Sequence, residues 1–310
     1  MSHTAIEAAG LSKRYGRRRT NALEDCSFRL PLGRICALVG PNGSGKSTLL
    51  GLVSGRLRPT EGTLSTLGTT PAHARRHIAY VAQDKPLYPQ LTIAETLRLG
   101  AELNPDNWDM SVAEGVIRGG DLDPDTRVRA LSGGHRTLVA LALALGKKAE
   151  LLLLDEPMAD LDPLARRRLM GALLAEAARH GTTVVMSSHI LGELADSCDY
   201  LLLVSGGRIL LGGGIDDLVN AHALVTGPGP LADLARHTVV ESRATGRGLS
   251  ALIRPDGPPG DLNKPPNQGR WEIIEPSLEE LVLTYLRCPE APALLTPSSA
   301  LPRENGVVTA

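Results

Sequence analysis

Ile35-Cys36-Ala37-Leu38-Val39-Gly40-Pro41-Asn42-Gly43-Ser44-Gly45-Lys46-Ser47-Thr48 is the stretch from which the rest of the chain is read. Five apolar residues suit a buried strand. The next eight, Gly40–Ser47, fit G-x-x-x-x-G-K-[ST], and a helical pattern, Lys46–Leu57, runs on from them. Glycines at 40, 43 and 45 let backbone N–H groups converge on phosphate oxygens without side-chain obstruction. The helix N-terminus adds partial positive charge, and Lys46 brings a full one. Ser47 offers a hydroxyl to magnesium, with Thr48 behind it in the first turn.

Leu151-Leu152-Leu153-Leu154-Asp155-Glu156-Pro157 supplies the second half of such a site. Four leucines in a row predict a strand buried on both faces. Carboxylates at its C-terminal end fall where open α/β sheets bind ligands. Asp155 is placed to hold magnesium through water, and Glu156 to polarise a water for attack on a γ-phosphate. Further strands are expected at Ile78–Ala82, Thr183–Ser187 and Tyr200–Val204. Helices are expected at Ile93–Leu103, Gly134–Leu145, Leu164–Arg179 and Ile190–Ser197. Alternating strands and helices predict an α/β fold with a largely parallel sheet.

Composition is that of an ordinary globular chain of 310 residues, 42% apolar and 22% charged. A net charge of -1 gives no basic surplus, so nucleic acid is not expected as a partner. Four cysteines without C-x-x-C pairing form neither a zinc site nor a disulfide framework. They fit reduced thiols in a cytosolic protein. The first residues lack the apolar core of a signal peptide. No apolar run approaches the roughly 20 residues that span a bilayer, so a pore would come from another protein.

Leu131-Ser132-Gly133-Gly134 narrows the class. It resembles the signature motif of ABC ATPases, and residues 1–214 resemble the nucleotide-binding domain of an ABC transporter. The resemblance implies a P-loop NTPase fold: a RecA-like core with an α-helical signature subdomain. It implies ATP and Mg2+ as ligands, with Ser47, Gln83 and Asp155 at the metal. Tyr15 matches the aromatic on which adenine stacks. Gln83 matches the glutamine that contacts magnesium and the attacking water. Ser132, Gly133, Gly134 and His135 match the signature, which contacts ATP bound to the opposite chain. Asp162, in Leu161-Asp162, matches the D-loop, and His189 the histidine that contacts the γ-phosphate. Glu156, His189 and Gln83 are thus the catalytic set. The implied partners are a second copy, forming an ATP sandwich, and a separate integral membrane permease. The implied location is cytoplasmic, peripheral on the inner face of the membrane.

Some positions depart from the family pattern. His135 stands where glutamine is usual, and Leu138 and Leu143 where arginine is common. Beyond residue 214 the texture changes to Gly- and Pro-rich turns with strands at Ala223–Thr226, Leu249–Arg254 and Trp271–Ile274, then a helix at Ser277–Leu286. Residues 215–288 read as a small α+β accessory domain, resembling extensions of export-type subunits, with Ser277 as a helix cap. Residues 289–310 read as an unstructured tail. The competing reading is a soluble ABC ATPase acting on a macromolecule such as the ribosome. Against it stand a single set of nucleotide motifs and only about 85 residues, without heptads, between Lys46 and Ser132.

Overall fold

The computed structural model describes residues 4–16, 20–190, 192, 194, 197–246, 248–257 and 271–302. In chain order, β1 (Thr4–Tyr15) and β2 (Thr20–Pro31) lead into β3 (Ile35–Val39), α1 (Lys46–Val53), β4 (Glu61–Thr66), α2 (Pro71–Ala74) and β5 (Ile78–Val81). Then come α3 (Ile93–Leu103), α4 (Met110–Gly119) and α5 (Gly133–Gly146), followed by β6 (Leu151–Leu154), α6 (Pro163–His180), β7 (Thr183–Ser188), β8 (Tyr200–Ser205) and β9 (Arg208–Gly214). The remainder is α7 (Ile215–Asn220), β10 (Ala223–Gly227), β11 (Thr238–Thr245), β12 (Gly248–Arg254), β13 (Glu272–Ile274), α8 (Leu278–Arg287) and β14 (Leu294–Leu295).

The leucine run of β6 is buried along its whole length, which places it inside a sheet covered on both faces. That sheet has the order β14-β9-β8-β3-β7-β6-β5. Its five strands from β8 to β5 run parallel, and β9 turns back antiparallel to β8. The C-terminal ends of β3, β7, β6 and β5 therefore lie along one edge. Register confirms it: Val39 sits opposite Ser188, and Leu154 opposite Met186 and Val81. Two antiparallel sheets flank this one, β2-β1-β4 and β11-β12-β10-β13. The first was not legible in the strand–helix alternation, because β1 and β2 carry interspersed charges and register shifts.

Helices α3, α4 and α5 share an apolar core built from Ile93, Leu97, Ala113, Ile117, Val139 and Ala142. Each begins on a side-chain cap: Thr92 with Glu95 for α3, Asp109 for α4, Ser132 for α5. α5 is buried nearly all round, since Leu141 and Leu145 face the main sheet's core while Val139 and Ala142 face the other helices. Leu138 and Leu143 pack against that helical core, so the apolar departures noted in the sequence have a packing role. α1 ends at Val53, earlier than expected, because Gly55 turns left-handed at φ 71°. The expected helix at Ile190–Ser197 falls partly outside the described residues.

One expectation is corrected. Residues 289–302 are not an unstructured tail. β14 adds to the edge of the main sheet, in parallel register with Leu211 and Gly212. Arg29 donates to the carbonyls of Ala300 and Pro297, and its own N–H to Ser299. Thr296 occupies the space where a Cβ on Gly213 would sit, 2.2 Å from its Oγ1. Proline, serine and alanine read as disorder only when nothing pairs with them. Here the β9 edge at Leu211 and Gly212 does. Residues 303–310 lie outside the described residues.

Ser277 caps α8 as expected, in a full capping box with Glu280. Where α8 meets α7, His222 is buried beneath Tyr285. Its Nδ1 lies 2.7 Å from the Leu218 carbonyl, so Nδ1 carries the proton and Nε2 accepts from the Tyr285 hydroxyl at 3.0 Å. Burial pushes His222 down to about 4 and Tyr285 up to about 12. The folded chain thus keeps His222 neutral while the unfolded chain protonates it below about pH 6.5. Stability is lost as pH falls through that window, by about 2 kcal/mol between pH 7.5 and 5. Urea unfolding of His222→Gln at the two pH values is expected to show a gap smaller by about that amount. An unchanged gap would assign the acid sensitivity elsewhere.

Candidate functional site

Gly40 follows the central strand β3, and its missing side chain is a steric necessity. A Cβ there would sit 2.0 Å from the Val204 carbonyl oxygen. Gly45, at φ 109°, presses against Ala22 and Leu23 of β2. The loop is thus clamped between β8 and the β1–β2 hairpin, at whose tip Tyr15 stands 43% exposed. Inside the loop, Lys46 Nζ donates to the carbonyls of Gly40 (2.7 Å) and Pro41 (3.1 Å). Burial lowers Lys46 from its ordinary value, while Glu156 and Asp155 pull it back up. Asn42 and Gly43 are exposed at the loop's crest, and Ser47 is exposed on the first turn of α1, with Thr48 half-buried beside it.

Asp155 and Glu156 leave the end of β6 in different environments. Asp155 is buried at 1% exposure. Ser187, at the end of β7, joins the two residues: its hydroxyl donates to Asp155 Oδ1 at 2.7 Å and accepts from the Glu156 N–H at 2.8 Å. Glu156 is held at φ 51°, a left-handed conformation that side chains rarely adopt. This turns its carboxylate toward an ammonium and an imidazole. His189 Nδ1 lies 2.7 Å from Oε2, and Lys46 Nζ 3.7 Å from Oε1. A cavity of about 130 Å³ adjoins them, lined in part by Glu156, Ser187, His189 and Arg166.

The structure therefore gathers Lys46, Asp155, Glu156 and His189 at one sheet edge. Gln83 is exposed in the turn after β5 on the same edge. Ser132, Gly133, Gly134 and His135 lie apart, at the start of α5. The groove that opens there, about 1330 Å³, is bounded by α4, α5 and α6 and includes no residue of Gly40–Thr48. Asp162 N-caps α6, accepting from the N–H groups of Leu164 and Ala165. Sequence reasoning passed over Ser187. Serine after a run of apolar strand residues carries no distinctive spacing, and only the pairing of β7 with β6 brings it to Asp155.

The residues fit a magnesium–triphosphate group. Ser44 Oγ is buried with no hydrogen-bond partner among the described residues, which leaves a hydroxyl inside the loop free for an anion. One carboxylate, one hydroxyl and one amide (Asp155, Ser47, Gln83) suit a hard cation that takes its remaining oxygens from water and phosphate. Among the described residues no cluster of three His, Cys, Asp or Glu offers a self-sufficient metal cage.

A glycine-lined loop between a central parallel strand and a helix, facing an acidic strand end, defines a P-loop nucleoside triphosphatase. Comparison with known proteins narrows the class. The ABC transporter family profile matches residues 23–159. A Nod factor export ATP-binding protein of Rhizobium etli is 33% identical over 228 residues, covering 71% of this chain and 71% of the relative. The homologous Mesorhizobium japonicum protein is 33% identical, covering 71% and 66%. An Fe(3+) ions import ATP-binding protein of Rhodococcus jostii is 36% identical, covering 66% and 61%. A solved ATP-binding subunit of an ABC transporter superposes with a TM-score of 0.63 at 30% identity, covering 70% of this chain and 92% of that one. The chain belongs to the ABC transporter family of ATP-binding proteins, and its fold is that of the ABC ATPase cassette. It spans 66% of the length of the Mesorhizobium japonicum relative, 61% of the Rhodococcus jostii one, and 42% of a putative ribose/galactose/methyl galactoside import ATP-binding protein of Rhizobium meliloti. Among the described residues no helix is long and apolar enough to cross a membrane.

Proposed function

We propose that the chain binds and hydrolyses ATP as the motor subunit of a transporter whose pore is a separate membrane permease, and that it drives export. The geometry around Glu156 carries this reading. Glu156 sits one residue from the buried Asp155, donates its N–H to Ser187, and is flanked by Lys46 and His189. Lys46 and the loop's N–H groups bind and orient the β- and γ-phosphates. Ser47, Gln83 and Asp155 would hold magnesium, which would neutralise charge on those phosphates. Glu156 accepts the proton of the attacking water, and His189 exchanges its bond to Glu156 for one to the γ-phosphate. Tyr15 offers its exposed ring to adenine.

The signature's place on a groove away from the phosphate loop supports the reading that a second copy completes each site. Ser132, Gly133, Gly134 and His135 then face the nucleotide held by the other chain, with Asp162 fixing the start of α6 beside them. A solved relative at 25% identity, TM-score 0.61, is a dimeric ATP-binding cassette in a post-hydrolysis state bound to ADP and Pi, which supports this arrangement. Ligand that binds only the closed pair stabilises it, and loss of the γ-phosphate releases it. The chain works on the inner face of the membrane, with residues 215–288 as an accessory domain. What favours export is that both Nod factor export relatives align over 71% of the chain, against 65–67% for the import relatives.

A tagged chain recovered from detergent-solubilised native membranes is expected to bring down a polytopic membrane protein in near-equal amount. Recovery with ribosomal proteins from the soluble fraction would overturn the transporter assignment.

A further inference from the structure

Lys85 has an unusual setting for a lysine four residues past the end of β5. It closes a turn by donating its N–H to the Ala82 carbonyl at 3.0 Å, with φ at 43°, the left-handed region. Its side chain is only 7% exposed, and its ammonium meets Asp160 Oδ2 at 2.5 Å. The nearly buried cation is thus paired with a carboxylate whose own side chain is 47% exposed.

Asp160 lies in the loop between β6 and α6, and it also touches the signature. A Cβ on Gly134 would stand 2.8 Å from the Asp160 carbonyl oxygen. One on Gly133 would stand 3.5 Å from its Cγ and 3.7 Å from Oδ2. The Asp160 carboxylate therefore lies beside the N-terminus of α5, on the same groove as Ser132–His135, where the helix dipole favours an anion. It stands beside that end as a carboxylate paired with Lys85.

We infer that Lys85 and Asp160 are a positioning pair that sets how much ATP is needed to close two copies on each other. This rests on the reading above, in which the signature of one chain receives the γ-phosphate held by another. A γ-phosphate brought to Gly133 and Gly134 meets the Asp160 charge already there. Lys85 decides the outcome by holding that charge to the side and offsetting it. The pair also ties the turn after Gln83 to the signature, so the carboxylate's position depends on both. The groove beside Ser132 and Asp160 leaves room for the carboxylate to withdraw.

The two single variants are expected to move in opposite directions. Asp160→Asn keeps the shape and removes the charge. It lowers the ATP concentration at half-maximal turnover by about fivefold, with kcat within about twofold, the scale of one partly screened charge. Lys85→Met leaves Asp160 uncompensated and raises that concentration by about the same factor. The double variant behaves like Asp160→Asn alone. The same order is expected when ATP-driven dimerisation is followed by light scattering in a Glu156→Gln background. A merely structural pair would make both single variants worse, and that result would overturn the inference. If the Glu156→Gln chain fails to dimerise with ATP at all, the two-copy reading itself is what fails.

Discussion

Glu156→Gln retains ATP binding and loses turnover by roughly 10²–10⁴-fold, the range that a positioned general base contributes. Glutamine matches glutamate in shape and cannot take a proton. Its backbone keeps the left-handed turn at φ 51° because Ser187 still receives the 156 N–H. His189 Nδ1 can still donate to the side-chain oxygen. The Lys46 contact at 3.7 Å weakens, and the lysine keeps its bonds to Gly40 and Pro41. Because binding survives while the γ-phosphate stays in place, the variant accumulates as an ATP-bound dimer. Turnover measured beside equilibrium nucleotide binding separates the two. Turnover near that of the unaltered chain would remove Glu156 from the role of base and return attention to His189.

Gly45→Ala abolishes nucleotide binding and lowers stability by about 3 kcal/mol or more, through two penalties that add. The backbone at φ 109° lies where side chains are rarely found, and the new Cβ would stand 2.4 Å from the Ala22 carbonyl oxygen. Backbone of β2 cannot yield without disturbing its pairing with β1. Gly43→Ala is the internal comparison. Gly43 also has a positive φ, 79°, but nothing lies within 4 Å of its Cβ position. Its expected cost is about 1 kcal/mol, the left-handed strain alone. Urea midpoints and binding of a fluorescent ATP analogue report both effects. Equal costs for the two substitutions would mean that β2 does not clamp the loop.

The phosphate loop was legible because its chemistry is local. A strand, a glycine-rich turn and a helix N-terminus are contiguous, so Gly40–Thr48 define the site without reference to anything distant. Asp155 and Glu156 were legible for a related reason: an all-leucine strand has to be interior, and its end has to face ligand. His189 and Gln83 needed the family resemblance, since each follows an ordinary strand with no spacing of its own. The α/β class followed from the alternation of elements, while β1 and β2 escaped it because their charges break the period-two pattern.

Tertiary structure decided what depends on residues far apart in sequence. Ser187 joins Asp155 to Glu156 only because β7 lies beside β6. Lys85 reaches Asp160 across 75 residues, and Asp160 reaches the signature only through the packing of α5 on the core. Residues 289–302 read as unstructured because Pro, Ser and Ala carry little burial of their own, yet an open sheet edge at Leu211 and Gly212 gave them hydrogen bonds to make. By itself the sequence determined which chemical groups are present and how the local phosphate cradle folds. Their pairing was set by the sheet, whose register fixes which strand ends meet and therefore which charges share a site.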